Sequence, residues 1–287
     1  MKRHADIPKE RWAEVQRRLD AIERGEGCRI LFAVESGSRA WGFPSPDSDY
    51  DVRFVYAQPA DWYLSVYPGR DVIETPIEDE MDVNGWDLRK ALHLVLKSNA
   101  VISEWMESPI VYRRDAAALR HLRAFADRML NPRALAYHYL HLARRQVAAK
   151  RSRDRIALKR YFYALRPALT LRFLRLQNGK RPPMHLQALT DGTDLPAATV
   201  RVIGRLVEAK SRAREMGSGP RIPALDRLIA AEIAAAAGSA SDMPGRPPSE
   251  LEAADPAHSR LRGLRARHVR PCATAGRARM NPRTNAA

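Results

Sequence analysis

Cysteine is nearly absent from this 287-residue chain, which has only Cys28 and Cys272. Two thiols so far apart exclude a disulfide framework and a cysteine-based zinc site, both of which need more thiols at tighter spacing. Cys28 reads as a buried small hydrophobe, and a reducing cytoplasm is the expected compartment. No run of about 18 apolar residues occurs, so no membrane span is expected. The opening MKRHADIPKERWAEVQ carries charge with no apolar stretch behind it, which predicts no secretory signal peptide. An internal repeat, an RNA-recognition aromatic motif and a zinc knuckle are also missing.

What is present is charge, unevenly placed. The net formal charge is +16. Residues 1–112 carry −6, residues 113–237 carry +17 and residues 238–287 carry +5. An acidic block followed by a basic block suits a polyanionic ligand shared between them, with a cationic metal on the acidic part and phosphates on the basic part.

Hydrophobic periodicity divides the chain in the same places. Residues 6–24 predict a helix. CRILFAV (28–34) and DVRFVYA (51–57) predict strands, the second by its alternation and its β-branched and aromatic content. RDVIETPI and EDEMDVNGWDL predict two further strands, PADWYLSV and AVISEWME short helices, and RKALHLVLKS (89–98) a longer one. From Asp115 the spacing turns helical over 115–130, 132–151, 153–176, 195–215 and 223–237. Residues 238–287 are rich in Gly, Ser, Pro and Arg without periodicity and read as a disordered basic tail. The expected fold is therefore α+β. A core of strands and helices occupies 1–112, a basic helical domain 113–237 and a tail 238–287.

The chemistry concentrates in ESGSRAWGFPSPDSDYDVR, residues 35–53. A strand delivers the chain to Gly37-Ser38, where glycine permits close approach of a phosphate and Ser38 offers a hydroxyl and an amide. Ten residues later comes Asp49-Tyr50-Asp51. Alternate strand residues share a face, so the two carboxylates point together and Tyr50 points away. Paired carboxylates repel in a dry site, and a divalent cation such as Mg²⁺ relieves that cost while binding phosphate oxygens. The alternative is a solvated turn before a strand.

Other residues carry two readings each. Arg39 reaches either a phosphate or Glu35 or Asp47. Arg53 faces the same side as Asp51 and is suited to neutralising the acids. Lys159, Tyr163 and Arg166 fall at i, i+4 and i+7 on one helix face, either gripping phosphates and stacking on a base or forming an ordinary amphipathic face. The run 144–155, RRQVAAKRSRDR, is a solvated surface or an RNA contact. Trp41, Trp86 and Trp105 are expected in the core, with the nucleotide pocket as the other place for Trp41.

Gly37-Ser38, ten residues, then Asp49-x-Asp51 resembles the signature of the DNA-polymerase-β nucleotidyltransferase superfamily. The wider text GSRAWGFPSPDSDYDVRF, with NGWDLRKALHLVLKSN, EWMESPIVY, KRYFYALRPAL and PPM downstream, is similar to its RlaP branch, predicted nucleotidyltransferases associated with RNA ligases. The resemblance spans roughly residues 10–235. It implies a mixed, mostly antiparallel sheet with flanking helices, followed by an all-helical domain. It implies transfer of a nucleoside monophosphate from a nucleoside triphosphate to an acceptor hydroxyl, with RNA or tRNA among the acceptors. Gly37, Ser38 and Arg39 would meet the triphosphate, with Lys159 and Arg166 closing over it and Tyr163 stacking on the base. Asp49 and Asp51 would hold two Mg²⁺ ions, or Mn²⁺ in their place. The family further implies a third acid on a later strand, serving as metal ligand and base. Asp87 is preferred and Asp82 is the alternative, although Asp87 also suits the cap of the following helix. A non-catalytic RNA-binding or antitoxin-like module with the same fold is the competing expectation.

Overall fold

The computed structural model describes residues 7–67, 69–148, 155–214 and 216–246. Residues 149–154 of the basic run, and the predicted tail beyond Arg246, lie outside the described residues. Five strands build one sheet: β1 (Arg29–Glu35), β2 (Tyr50–Ala57), β3 (Val72–Glu74), β4 (Met81–Asp87) and β5 (Val111–Arg114). Their order is β3-β4-β2-β1-β5. Only β2 and β4 run parallel; the other three pairings are antiparallel. The sheet is mixed and mostly antiparallel, as expected. β5 escaped the sequence reading because it is four residues long and ends in two arginines.

Eleven helices are described: α1 (Lys9–Glu26), α2 (Gly37–Ala40), α3 (Ala60–Leu64), α4 (Leu88–Leu96), α5 (Ala100–Met106), α6 (Ala116–Arg128), α7 (Pro132–Ala148), α8 (Lys159–Leu176), α9 (Leu186–Asp191), α10 (Ala197–Arg212) and α11 (Pro223–Ser239). A two-stranded ribbon, β6 (Arg155–Ala157) with β7 (Ser218–Pro220), interrupts the helical half. No described helix is long and apolar enough to cross a membrane.

The α1 residues Val15, Leu19 and Ile22, at helical spacing, bury against Ile30, Val52, Phe54, Tyr56 and Ile110. Since Val52, Phe54 and Tyr56 enter that core, strand alternation turns Asp51 and Arg53 to the opposite face. The helical half centres on α8, whose Tyr161, Phe162, Leu165, Leu169 and Leu174 are all buried. Phe43, in the loop after α2, stacks on Phe162 at 4.4 Å between ring centres. The Leu186 N–H donates to the Trp41 carbonyl at 2.9 Å. These contacts hold the loop that precedes Asp49 against the helices.

Gly85 shows how closely the sheet is packed. A methyl group there would lie 2.1 Å from the ring of fully buried Phe54, its register partner on β2. Gly85→Ala is expected to lower the unfolding free energy by roughly 1–3 kcal/mol, the usual cost of overpacking. Urea denaturation measures this, and an unchanged midpoint contradicts the packing described.

Candidate active site

A cavity of about 570 Å³ opens where the end of β1, α2 and the start of β2 face the helical half. Ser36, Gly37, Ser38, Asp49, Asp51 and Arg53 line one part of it, together with Ser45, Asp47 and Ser48. Trp41, Lys159, Tyr163, Lys210, Arg214 and Met216 line the rest. The Gly-Ser pair and the paired acids are therefore neighbours in space.

The contact between them is tight. Gly37 has φ +57°, a left-handed conformation that side chains disfavour, and a Cβ there would sit 1.9 Å from Asp51 Oδ2. The Ser36 N–H donates to the Asp51 carbonyl at 2.7 Å. The Asp51 N–H donates to Glu35 Oε1 at 2.9 Å, and the Tyr112 hydroxyl donates to Glu35 Oε2 at 2.5 Å. Glu35 is fully buried at the end of β1, and burial pushes its carboxyl up to about 7 against the pull of those two donors. Glu35 thus positions Asp51 without lining the cavity. The serines knit the other side: Ser38 Oγ donates to Ser48 Oγ at 2.9 Å, and Ser45 N donates to the same oxygen at 2.9 Å.

The acids differ in surroundings. Asp49 is exposed, whereas Asp51 is partly buried. Burial raises the Asp51 carboxyl above the usual carboxylate range. Arg53 opposes that rise, while Asp82 and Asp49 add to it. Arg53 Nη2 lies 3.1 Å from Asp51 Oδ1 and 2.5 Å from Asp82 Oδ2, so one guanidinium bridges two carboxylates. Asp82 is the register partner of Asp51 on parallel β4 and also accepts from Asn84 Nδ2 at 2.5 Å. Among the described residues, no three His, Cys, Asp or Glu side chains cluster closely enough to cage a metal.

Three expected site residues stand elsewhere. Asp87 is fully buried and caps α4, accepting from the Arg89 N–H at 2.8 Å and the Tyr63 hydroxyl at 2.7 Å. It pairs with Tyr56, five residues along the strand from the Asp51–Asp82 level, or about 16 Å. Capping, not the cavity, accounts for this acid, and Asp82 is the one beside Asp51. Arg39 turns away from the cavity. It donates to the carbonyls of Asp49 (3.2 Å) and Ser48 (2.6 Å), and its guanidinium lies 4.0 Å from the centre of the Tyr50 ring. Neither Glu35 nor Asp47 pairs with it; it braces the loop that carries the acids. Arg166 shares a helix face with Lys159 and Tyr163 but sits deeper. Its Nη2 pairs with Glu104 at 2.5 Å, and its guanidinium stacks 4.3 Å over Trp41. Glu104 also accepts from the Tyr139 hydroxyl at 2.8 Å. This cation holds α5, α7 and α8 together.

Lys210, Arg214, Ser36, Ser48 and Glu35 were not singled out from the sequence. The only cue for the first two was a basic cluster, AKSRAR, at the end of a predicted helix. Trp41 lines the cavity and packs against the helical core at once, whereas Trp86 and Trp105 stack on each other at 3.9 Å.

Two outcomes follow from these surroundings. Folded Glu35 holds its proton more tightly than the unfolded chain does. Its contribution to stability is therefore full below about 4.5 and is lost as the pH rises through about 7. Between those values the wild type should lose about 3 kcal/mol relative to Glu35→Gln, which keeps a side chain of the same shape without the charge. Unfolding curves at stepped pH check this, and parallel profiles for the two proteins contradict it. Arg166→Met strands Glu104 beneath the surface and should cost roughly 3–5 kcal/mol. Lys159→Met, at an exposed position, should cost under about 1 kcal/mol. Equal losses in urea denaturation contradict the separation of roles.

The family described as "RlaP: RNA repair pathway DNA polymerase beta family" matches residues 12–258. The chain is 41% identical over 215 residues to the uncharacterized protein YcgL of Bacillus subtilis (strain 168), a match covering 75% of this chain and 82% of YcgL. A crystal structure of a nucleotidyltransferase-like protein from Exiguobacterium sibiricum 255-15 is similar at 12% identity with a TM-score of 0.30, covering 90% of this chain and 81% of that one. The family match supports a nucleotidyltransferase-type function. By its sequence match from Trp12 to His258, this chain belongs to the RlaP family, the DNA polymerase β family of the RNA repair pathway.

Proposed function

We propose that the protein transfers a nucleoside monophosphate from a nucleoside triphosphate to an acceptor hydroxyl, releasing pyrophosphate, with RNA or tRNA as the acceptor class. The observation that carries this reading is one cavity with Gly37, Ser38, Asp49 and Asp51 on its sheet side and Lys159 and Lys210 on its helical side. The basic balance of residues 113–237 supports an RNA acceptor.

A divalent cation suits the donors present. Asp51 is partly buried beside two other acids; burial first, and then the charges of Asp82 and Asp49, raise its proton affinity against the pull of Arg53. The oxygens of Asp49, Asp51 and the nearby serines form a hard donor set fit for Mg²⁺ or Mn²⁺. The absence of a three-acid cage among the described residues suits an ion that completes its shell with phosphate oxygens and water. When bound, such an ion neutralises charge building on the phosphoryl and leaving oxygens.

The chain's own groups do the rest. Asp49 and Asp51 hold the cation. Gly37 leaves room for the Asp51 carboxylate to stand against the backbone, and Ser38 offers the tail a hydroxyl. Lys159 draws the polyphosphate toward α8, and Tyr163, 44% exposed at the cavity, offers a ring for the base. We assign the third acid to Asp82, whose Oδ2 takes the proton of the incoming hydroxyl once Arg53 turns from it toward the phosphates. Holding both reactants in one cavity supplies the in-line geometry that phosphoryl transfer needs.

The test is label transfer from four α-labelled nucleoside triphosphates to RNA, protein and small-molecule pools, with and without Mg²⁺. Asp49→Asn combined with Asp51→Asn should reduce transfer by about a thousandfold or more, the several kcal/mol that a metal contributes, while the unfolding midpoint stays near that of the wild type. Undiminished turnover in the double variant refutes the assignment. Tight, Mg-independent RNA binding with no transfer from any triphosphate supports a non-catalytic module instead.

A further inference from the structure

Three separate pieces of the chain meet at Lys210. Phe43 comes from the loop after α2, Phe162 from α8 and Lys210 from the last turn of α10. The two rings stack at 4.4 Å, and Lys210 Nζ lies 4.7 Å from the centre of the Phe43 ring and 5.3 Å from that of Phe162. Cation–π attraction and the packed aliphatic stem hold the ammonium at the cavity wall. Lys159 lines the same cavity from α8.

Neither lysine has a carboxylate within ion-pair distance among the described residues. Arg53, by contrast, is held between two acids, and exposed Arg214 stands 3.9 Å from Asp47. Two ammonium groups left unneutralised in one cavity repel each other. An anion with adjacent charged groups meets both at once, whereas a single phosphate satisfies one more readily than two.

We propose that Lys210, together with Lys159, grips the polyphosphate tail of the nucleotide, and that this grip selects triphosphates over monophosphates. The proposal deepens the nucleotidyltransferase reading and rests on it. Burial first, and then the neighbouring charge of Lys159, bring the Lys210 ammonium down to about 8. The other charged groups facing the cavity are Asp47, Asp49, Asp51 and Arg53 from the sheet side and Arg214 beyond α10. Tyr163 is the remaining titratable neighbour on α8. With its proton held less tightly than an ordinary lysine's, Lys210 is charged below about 8 and loses the grip above it. At pH 9 about a tenth of it remains charged.

Titration calorimetry of the full-length protein with inorganic tripolyphosphate, in EDTA at pH 7 and pH 9, tests this. The wild type should lose about fivefold in affinity between the two pH values beyond any change common to all variants, as the charged fraction falls and the weaker binding of the neutral form remains. Lys210→Met keeps the stem over the rings and should bind about tenfold more weakly than wild type at pH 7, with little further loss at pH 9. Lys210→Arg stays charged and should keep its pH 7 affinity at pH 9, which a merely structural role would not produce. Inorganic phosphate should distinguish the three proteins less than tripolyphosphate does. The proposal is overturned if Lys210→Met matches the wild type at both pH values, or if Lys210→Arg loses affinity as the wild type does. If the pattern fails while label transfer persists, only the grip is wrong. If the pattern holds but no triphosphate gives transfer, the grip stands and the nucleotidyltransferase reading falls.

Discussion

The site depends on one close approach, that of the Gly37 backbone to the Asp51 carboxylate. With no side chain at Gly37, Asp51 Oδ2 occupies the space a Cβ would fill. Two backbone hydrogen bonds fix the approach from either side: Ser36 N to the Asp51 carbonyl, and Asp51 N to the buried Glu35. Burying a carboxyl at Glu35 is costly unless its oxygens are satisfied, and Tyr112 supplies the second donor. A strand end, a left-handed glycine and a buried acid are thus tied into one unit. That unit sets where Asp51 stands relative to the Gly-Ser bend.

From this unit the charge arrangement follows. The sheet side gathers negative charge at Asp47, Asp49, Asp51 and Asp82, and Arg53 offsets only part of it. The helical side brings Lys159 and Lys210 to the same cavity without carboxylate partners among the described residues. The division of charge along the chain becomes a division across a cavity. The pieces are kept together by the Phe43–Phe162 stack and by Arg166, which ties Glu104 to Trp41.

Local signals were the legible ones. The Gly37-Ser38 bend and the alternation that aims Asp49 and Asp51 together are read within twenty residues, and the family's own text extends that reading. The sheet's mixed character was also expected, although β5 was not: a four-residue edge strand ending in Arg113 and Arg114 has too few positions to display a period. What could not be read was set by partners distant in sequence. Asp82 and Asp87 both follow acids or precede a helix, and only the β2/β4 register tells which one stands by Asp51. Arg166 lies on the stripe of Lys159 and Tyr163, but Glu104 and Tyr139, from two other helices, draw it inward. Lys210 carries no local signal because the rings beneath it come from residues 43 and 162.

The central claim is that Asp49 and Asp51 share a divalent cation with a nucleoside triphosphate beside the Gly37-Ser38 bend. The most direct measurement is anomalous scattering from crystals grown with Mn²⁺ and a non-hydrolysable triphosphate. The account predicts a peak within coordinating distance of both carboxylates, with the phosphates reaching toward Ser38 and Lys159. A peak elsewhere, or phosphates bound away from that bend with no ion at either aspartate, would contradict it.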